Sequence, residues 1–332
     1  MVDIKILDCT LRDGGYVNDF KFGCENISKI SNNLAKSKID IIELGFLKNG
    51  EHLNNQTLFT SPKEAEKYIT DTSSEYCLMI RPDWYDISQL TKSNKIQHIR
   101  FAFHKNDISL TLKQANIARE LGYKVYFNPV NVMSYSADDL KDILKTLNEF
   151  TPEGIYIVDT FGSILPNDLD FLFEIFNSIL KTDIALGLHL HENLSISLAL
   201  ASIFIEKLKS SPRKAIIDSS VLGIGRIPGN LCTELIVNYL NLVNNSKYIL
   251  PPIYNLIDSP ISNIKKTNNW GYMPGYALTG FYKVHRSYAE HLLQKENMST
   301  TLLDIILIEI KNSKNSLVFN QKYADYLYEK YS

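Results

Sequence analysis

Short apolar runs rich in β-branched residues alternate with longer segments of helical spacing along the first 225 residues. Eight of these runs are predicted to be strands: 4–7, 39–44, 76–80, 98–103, 124–127, 154–158, 184–188 and 215–218. Eight strands that alternate with helices are typical of an α/β protein with a (β/α)8 TIM barrel. An open doubly wound sheet gives the same alternation and is the alternative fold.

The alternation stops after Val243, and the segment PPIYNLIDSP that follows soon after is loop-like. We therefore predict a TIM-barrel catalytic domain over residues 1–245 and a small helical C-terminal domain over 246–332 that covers the barrel mouth. The most apolar stretch, 302–310, is interrupted by Asp304 and Glu309 and is too short to span a bilayer. It is predicted to form one face of a buried helix.

Composition and charge exclude several classes of protein. With 45% hydrophobic residues, 22% charged residues and a net charge of −2, the chain lacks the basic footprint of a nucleic-acid or anionic-membrane binder. The four cysteines lie far apart without a CxxC pair, and no charged segment precedes an apolar one at the N-terminus. The sequence thus predicts a soluble, cytoplasmic protein with neither nucleic acid nor membrane as a partner.

The first candidate motif, LDCTLRDGG at 7–15, directly follows the first predicted strand. In one interpretation Asp13 and Gly14 form a turn and Arg12 is a surface charge. In the other, a carboxylate and a guanidinium stand side by side at the carboxyl end of a barrel strand. Asp13 would then bind a metal ion, and Arg12 would hold a substrate carboxylate or a developing oxyanion.

The second motif, GLHLHEN at 187–193, ends the seventh predicted strand. Side chains two positions apart on a strand point to the same side, with their α-carbons about 6.5–7 Å apart. His189 and His191 are therefore predicted to converge on one metal ion, whereas a single histidine there would more often be a hydrogen-bonded structural residue. Glu192 points the other way and is interpreted as a supporting group.

The third motif, LGIGRIPGN at 222–230, follows the eighth predicted strand. It has the glycine pattern of a dinucleotide fingerprint but not its place after a first strand, and residues 244–245 are Asn-Asn where an acid is needed. NAD is therefore rejected, and a glycine-rich loop here fits the close approach of an anion at a barrel end. Asn230 is interpreted either as a helix N-cap or as part of the site, and both alternatives stay open.

Further polar residues end the other predicted strands, and each alone is more often a cap or a turn than a functional group. Their concentration at one rim favours a barrel with a site over an open sheet. They include Glu43, Arg81, His104, Asn128, Asn131, Asp159 and Ser163. The predicted substrate-binding residues are Arg12, Gly14, Glu43, Asn128 and Ser163.

One carboxylate and two imidazoles form a facial set that leaves open positions on a divalent ion. Because the set has oxygen and nitrogen ligands and no thiolate, it suits Mn²⁺ or Mg²⁺, with Co²⁺ and Zn²⁺ as alternatives. Such an ion polarises a carbonyl group as a Lewis acid. With Arg12 beside it, the expected ligand is a 2-oxo acid, and the expected chemistry is at the carbon next to its carbonyl.

The motifs DCTLRDGG, VDTFGS, HLHEN and GIGRIPGN, in this order, resemble the metal-dependent pyruvate-type aldolase, lyase and synthase superfamily. This superfamily includes 3-hydroxy-3-methylglutaryl-CoA (HMG-CoA) lyase, isopropylmalate synthase and 4-hydroxy-2-oxovalerate aldolase. The resemblance is closest to the last, because GYALTGFYKVHRSYAEHL and TLLDIILIEI within 275–310 are similar to the C-terminal helical domain of that aldolase.

The resemblance implies roles for individual residues. Asp13, His189 and His191 match the metal ligands, Asn230 an asparagine at or beside the metal, and Arg12 the arginine that stabilises the pyruvate enolate. Tyr282 matches a C-terminal tyrosine that reaches into the aldolase site. Tyr16 stands where the aldolases carry a catalytic base histidine. Since tyrosine ordinarily titrates near pH 10, we expect Tyr16, His104, Tyr282 or a metal-bound water to handle the hydroxyl proton.

The implied activity is that of a carbon–carbon lyase, a class II aldolase that cleaves or forms a 4-hydroxy-2-oxo acid from pyruvate and an aldehyde. The resemblance also suggests an aldehyde dehydrogenase as a partner protein and a homodimer as the default assembly. The alternatives are an acyl-CoA-using lyase or condensing enzyme of the same superfamily and a non-catalytic metal-binding relative. No Lys/Arg cluster marks a CoA phosphate site.

Overall fold

Eight parallel strands close into a barrel in the computed structural model, which describes residues 2–332. The described residues form nine strands, of which all but the short β3 belong to this ring: β1 (Ile4–Asp8), β2 (Ile41–Leu47), β3 (Leu58–Phe59), β4 (Glu75–Ile80), β5 (His98–Phe103), β6 (Lys124–Pro129), β7 (Gly154–Val158), β8 (Ala185–His189) and β9 (Ala215–Ser219). β1 pairs with both β2 and β9, and this pairing closes the ring. The predicted TIM barrel is thus confirmed, and the open sheet is excluded.

Helices follow the strands and surround the barrel. They are α1 (Thr10–Asp13), α2 (Cys24–Lys36), α3 (Pro62–Ala65), α4 (Ile108–Glu120), α5 (Ala137–Phe150), α6 (Pro166–Ile179), α7 (Ser197–Leu208), α8 (Thr233–Val243), α9 (Pro251–Leu256), α10 (Ser262–Thr267), α11 (Pro274–Tyr282), α12 (Ser287–Leu292), α13 (Thr300–Lys311) and α14 (Gln321–Tyr331). Short 3₁₀ turns occupy Gly14–Val17, Glu66–Tyr68, Ile87–Gln89, Lys105–Asp107, Val132–Ser134 and Val221–Gly223, and a π turn occupies Ile257–Ile261.

All eight predicted strands are present, and the short β3 is an addition that the apolar pattern did not predict. β3 pairs with β2 alone and lies outside the ring. The segment that leads into β3 can lie this close to β2 because residue 45 is glycine. A Cβ atom at this position would lie 2.0 Å from the carbonyl oxygen of Thr57. A pair of residues cannot be recognised as a strand by periodicity, because two positions do not define a period.

The main core lies between the barrel and its helices. α6 buries one apolar face against it: Leu169, Leu172, Phe173, Ile175 and Phe176. Each such side chain contributes up to about 1.5–3 kcal/mol of hydrophobic stabilisation. A smaller cluster fills the barrel interior: Leu7, Cys9, Ile41, Cys77, Tyr126, Tyr156, Val158, Ala185 and Ile216. The interior cluster forms the floor beneath the residues at the barrel mouth.

The last helices have a core of their own. Helices α12, α13 and α14 enclose Val284, Tyr288, Leu292, Leu303, Ile306, Leu307, Ile310, Ala324 and Leu327. The stretch 302–310 is therefore the buried face of a helix, as predicted. Ile253, Leu256, Ile261 and Trp270 belong instead to the core of the barrel. The division at residue 245 stays a prediction.

Within residues 2–332, none of the helices combines the length and apolar character that crossing a membrane requires.

A charge cluster at the amino ends of the strands gives a testable pH dependence. Glu75 lies 2.7 Å from Lys5 Nζ and 2.8 Å from Lys124 Nζ, and 3.4 Å from Nε2 of the buried His98. The contact with His98 and the two lysines hold the pKa of Glu75 well below its usual range. Partial burial acts in the opposite direction and is outweighed. A lowered pKa means that this stabilisation is present above the ordinary glutamate value and is lost as the pH falls through the value in the folded protein.

We therefore expect Glu75→Gln to lower the free energy of unfolding by about 1 kcal/mol at pH 7, since the lysines are partly exposed to solvent. The difference from the wild type should shrink below about pH 4.3. Urea unfolding at pH 7 and at lower pH measures both. Glu149→Gln, at an exposed position without an ion pair in the described chain, is the matched control. An equal loss at both pH values would contradict the assignment.

Candidate metal centre

Asp13 and Arg12 stand at the carboxyl end of β1, where the chain turns directly into α1. Both are buried, with 2% and 5% of their surfaces exposed. Arg12 Nη1 donates to Asp13 Oδ1 over 2.7 Å, which leaves Oδ2 of Asp13 buried without a hydrogen-bond partner among residues 2–332. An unpartnered buried carboxylate oxygen calls for a cation or a donor.

His189 and His191 face this oxygen. The Nε2 atoms of His189 and His191 lie 4.0 Å and 3.7 Å from Asp13 Oδ2. His189 Nδ1 lies 2.9 Å from Asp218 Oδ2, and His191 Nδ1 donates to the carbonyl oxygen of Asp159 over 2.7 Å. The Asp218 carboxylate and the Asp159 carbonyl oxygen have no proton to donate, so Nδ1 of each histidine carries the proton. Nε2 of each histidine then presents a lone pair toward Asp13.

The three side chains fit a divalent cation. In the described part of the chain, they form the only group of three or more His, Cys, Asp or Glu residues with donor atoms close enough to share one ion, all within 4.8 Å of one another. Burial opposes the ionisation of Asp13, but the charges of Arg12 and the two histidines hold its pKa well below its usual range. Burial, together with His189, lowers the pKa of His191 to about 4. Asp13 and His191 are therefore deprotonated at neutral pH, as metal ligation requires.

Asn230 lies beside this group. Its backbone pairs with that of His191 in an isolated antiparallel bridge, and its side-chain Oδ1 is buried without a partner in the described structure. Gly225 makes room for the amide, since a Cβ atom there would lie 2.3 Å from Asn230 Nδ2 and 3.0 Å from Asp13 Oδ2. This placement favours Asn230 as part of the site over a simple helix cap.

Two charged residues that the sequence did not assign to the site, Arg100 and Asp218, support the metal centre from the barrel interior. Arg100, on β5, is fully buried and donates from Nη1 to Glu43 Oε2 over 3.0 Å and from Nη2 to Asp218 Oδ2 over 2.5 Å. Glu43 Oε2 also accepts from Arg12 Nε over 2.6 Å. A continuous chain of opposite charges therefore runs from Asp13 through Arg12, Glu43, Arg100 and Asp218 to His189, which we call the charge chain.

The sequence did hold a signal for Arg100. In the strand HIRFAF, His98 and Arg100 alternate with Ile99, Phe101 and Phe103, so the polar residues share the face that points into the barrel. The guanidinium carbon of Arg100 lies 4.3 Å from the centroid of the Tyr156 ring. Gly187 leaves the space for that ring, because a Cβ atom there would lie 2.3 Å from it.

A cavity of about 1040 Å³, counted to its open mouth, lies above the metal centre. Arg12, Asp13, Tyr16, His104, Asn128, His189 and His191 all line it. The structure thus brings together in one cavity these seven residues, which the sequence had assigned to the site. Tyr16 contacts Phe20 and Phe46 edge-on, and burial together with Asp13 raises its pKa above the usual value.

Three predicted substrate-binding residues do not line the cavity. Glu43 is 0% exposed and is committed to the two arginines of the charge chain. Gly14 is buried against Ile224. Ser163 is 1% exposed, and its backbone N–H donates to Asp159 Oδ1 over 2.8 Å. These residues lie behind the residues that line the cavity.

Tyr282 also lies away from the cavity. Its hydroxyl donates to Asp304 Oδ1 over 2.6 Å, and its ring packs against the core of the last helices. Its position at the end of α11 directs it to that core, a tertiary preference that the motif did not show. His285 and Arg286, a few residues further on, line the cavity instead.

Comparisons with known proteins identify a family and relatives that are similar over most of the chain. The family model described as HMGL-like matches residues 3–256. The 4-hydroxy-2-oxovalerate aldolase of Bacillus cereus is 24% identical to this chain over 327 residues. The alignment covers 94% of this chain and 91% of the length of that aldolase.

Solved structures share the fold. The N-terminal domain of a candidate aldolase from Bacteroides vulgatus superposes with a TM-score of 0.73 at 23% identity, over 88% of this chain and 97% of that one. The HMG-CoA lyase of Brucella melitensis has a TM-score of 0.62 at 15% identity, over 77% of this chain and 96% of that one.

Proposed function

Since the chain belongs to the HMGL-like family, we propose that it is a divalent-metal-dependent aldolase that cleaves or forms a 4-hydroxy-2-oxo acid. Pyruvate is the proposed 2-oxo acid, and an aldehyde is the second reactant. The observation that carries the proposal is the position of the Arg12 guanidinium beside the open group of Asp13, His189 and His191 on the wall of one cavity. A relative named 4-hydroxy-2-oxovalerate aldolase, similar over nearly the whole chain, supports it.

Asp13, His189 and His191 would hold the cation, with Asn230 beside them. A divalent cation bound there supplies Lewis-acid polarisation of the 2-oxo acid, which makes the methyl protons of pyruvate more acidic. Mn²⁺ and Mg²⁺ are the proposed ions, because the donors are oxygen and nitrogen atoms without a thiolate.

Arg12 is proposed to stabilise the negative charge that develops on the enolate oxygen. Its Nε and Nη1 are fixed by Glu43 and Asp13, and burial is outweighed by these carboxylates, which raise its pKa above the usual range. Nη2 makes no hydrogen bond within residues 2–332 and is left for the substrate. A donor that is fixed before the reaction stabilises charge without reorganisation cost.

The proton of the 4-hydroxyl group is proposed to move through His104 or Tyr16, both of which line the cavity. The raised pKa of Tyr16 suits a hydroxyl that stays protonated and donates a hydrogen bond. His104 presents an imidazole on the cavity wall, and this side chain is the commonest general base, which suits His104 to that role. Tyr282 is left out, since its hydroxyl is held by Asp304.

The proposal predicts that the protein exchanges the methyl protons of pyruvate for deuterium in D₂O when Mn²⁺ or Mg²⁺ is present. This half-reaction tests enolisation without knowledge of the aldehyde. Proton NMR follows the methyl signal with metal, with chelator, and after metal is added back. Arg12→Lys keeps the charge but loses the fork, and we expect its exchange rate to fall by about 100- to 1000-fold.

Exchange that is lost with chelator and restored by metal would support the proposal and justify a screen of aldehydes. Absence of exchange with every divalent ion, in protein shown to bind the ion, would refute it. Exchange that persists after complete metal removal would refute the role of Asp13, His189 and His191.

A further inference from the structure

The cavity above the metal centre carries more positive charge than enolisation of pyruvate needs. Four arginines line it: Arg12, Arg81, Arg226 and Arg286. This positive charge points to a substrate with a second, anionic end.

Three of these arginines already have carboxylate partners. Arg12 pairs with Asp13 over 2.7 Å, and Arg81 pairs with Asp83 over 2.8 Å. Arg286 pairs with Glu290 over 2.5 Å and also donates to the carbonyl oxygen of Ile227 over 2.9 Å. Arg81 and Arg286 are neutralised by these pairs, and Arg12 keeps Nη2 for the 2-oxo acid.

Arg226 differs from the other three. Within residues 2–332 no carboxylate oxygen lies within 4.0 Å of its guanidinium, and that guanidinium donates no hydrogen bond. Asp107, the remaining carboxylate that lines the cavity, is also beyond that distance. The guanidinium carbon lies 5.5 Å from the centroid of the Tyr16 ring, a contact that satisfies none of its N–H donors.

The backbone that carries Arg226 is fixed next to the metal centre. The preceding residue, Gly225, is close enough to Asp13 that a Cβ atom would lie 3.0 Å from Oδ2. The carbonyl oxygen of Arg226 accepts from the Gly229 N–H over 2.9 Å, and Gly229 in turn accepts from the Glu192 N–H over 2.8 Å. The backbone of Arg226 is therefore held in place, and its half-buried side chain has N–H donors free to bind an anion.

Arg12 and Arg226 line the same cavity at different places. The Arg12 guanidinium lies beside Asp13, whereas the Arg226 guanidinium lies over the Tyr16 ring. A substrate whose 2-oxo acid end lies at Arg12 would place a second anionic group at Arg226. Guanidinium groups bind carboxylates and phosphates through two parallel hydrogen bonds.

We propose, on the basis of the aldolase function above, that the aldehyde reactant carries an anionic group, a carboxylate or a phosphate, which Arg226 binds. The corresponding 4-hydroxy-2-oxo acid is anionic at both ends. It thereby differs from 4-hydroxy-2-oxovalerate, which has a single carboxylate.

Binding of matched 2-oxo acids to the Mn²⁺-loaded protein tests the proposal by calorimetry, without any need for turnover. The carboxylate arm compares 2-oxoheptanedioate with 2-oxoheptanoate. The phosphate arm compares 2-oxo-3-deoxygluconate 6-phosphate with 2-oxo-3-deoxygluconate. In at least one arm we expect the compound with the extra anionic group to bind about tenfold tighter or better, and the arm that responds identifies the group.

Arg226→Gln should reduce that preference to about twofold or less, while Arg226→Lys, which keeps a point charge, should retain part of it. Arg81→Gln, the same change at an arginine of the same cavity that is already paired, is the matched control and should keep the preference. The urea midpoint of each variant shows that it is folded.

Equal binding within both pairs by the wild type, or a preference that survives in Arg226→Gln, would overturn the proposal. Pyruvate exchange is scored separately. If pyruvate exchanges in a metal-dependent way but the extra anionic group does not strengthen binding, the anion site is refuted and the aldolase function is supported. If the extra anionic group strengthens binding through Arg226 but pyruvate does not exchange, the anion site is supported and the aldolase function is refuted.

Discussion

Replacement of His189 with alanine is expected to abolish metal binding and aldol turnover while the barrel stays folded. The substitution removes one of the three proposed ligand side chains, and we expect the remaining pair to be too few to hold a divalent ion. Metal affinity should fall by roughly 100-fold or more, and pyruvate exchange by at least about 1000-fold. Asp218 keeps its ion pair with Arg100 in this variant, so the charge chain loses only its last member.

Metal content by elemental analysis, metal titration by calorimetry and pyruvate exchange measure the three effects. His291→Ala removes an imidazole from α12, where it bonds Asp325 over 2.7 Å outside the cavity. It should retain both metal and exchange. One equivalent of tightly bound metal in His189→Ala, or exchange within a few-fold of the wild type, would show that the ion is held elsewhere.

Arg100→Met is expected to be the most destabilising single change of those considered. It removes the cation that joins Glu43 and Asp218, each of which is 0–1% exposed. Burial opposes ionisation of both Arg100 and Asp218, but their pairing raises the pKa of Arg100 and lowers that of Asp218. Removing one partner of a buried charge cluster leaves uncompensated charge, and the free energy of unfolding should fall by about 3–5 kcal/mol.

Urea unfolding at neutral pH measures this loss. Arg119→Met, at an exposed position on α4, is the matched control and should cost about 1 kcal/mol or less. Because Asp218 orients His189, metal affinity should fall in Arg100→Met as well, by roughly 10- to 100-fold. A variant with wild-type stability and metal affinity would mean that the charge chain contributes nothing to the centre.

Much of the fold followed from local pattern. The eight strands and the buried helix face at 302–310 depend on residues that are close in sequence, and burial on one side leaves a periodic trace. The common direction of His189 and His191 was also predicted from their spacing of two, although β8 ends at His189 and His191 forms an isolated bridge just beyond it. The short β3 left no such trace.

The candidate site was predictable only in part. Each polar residue at a strand end is at the correct rim, but the pattern does not tell which reach the cavity. Asn128 and His104 do, whereas Glu43 and Ser163 lie behind the residues that line it. The difference depends on side-chain partners that the neighbouring strands supply.

The sequence by itself determined the barrel, the rim that carries the candidate metal centre and the three residues that converge there. Only the tertiary structure decided that Glu43, Arg100 and Asp218 belong to the charge chain and that Tyr282 turns to the core of the last helices. It also decided that, within residues 2–332, Arg226 is the one arginine of the cavity without a carboxylate partner. The physical reason is distance along the chain: Arg100 and Asp218 meet across 118 positions. Such a contact exists only after the ring of strands has closed in a particular register, and no local periodicity records that register.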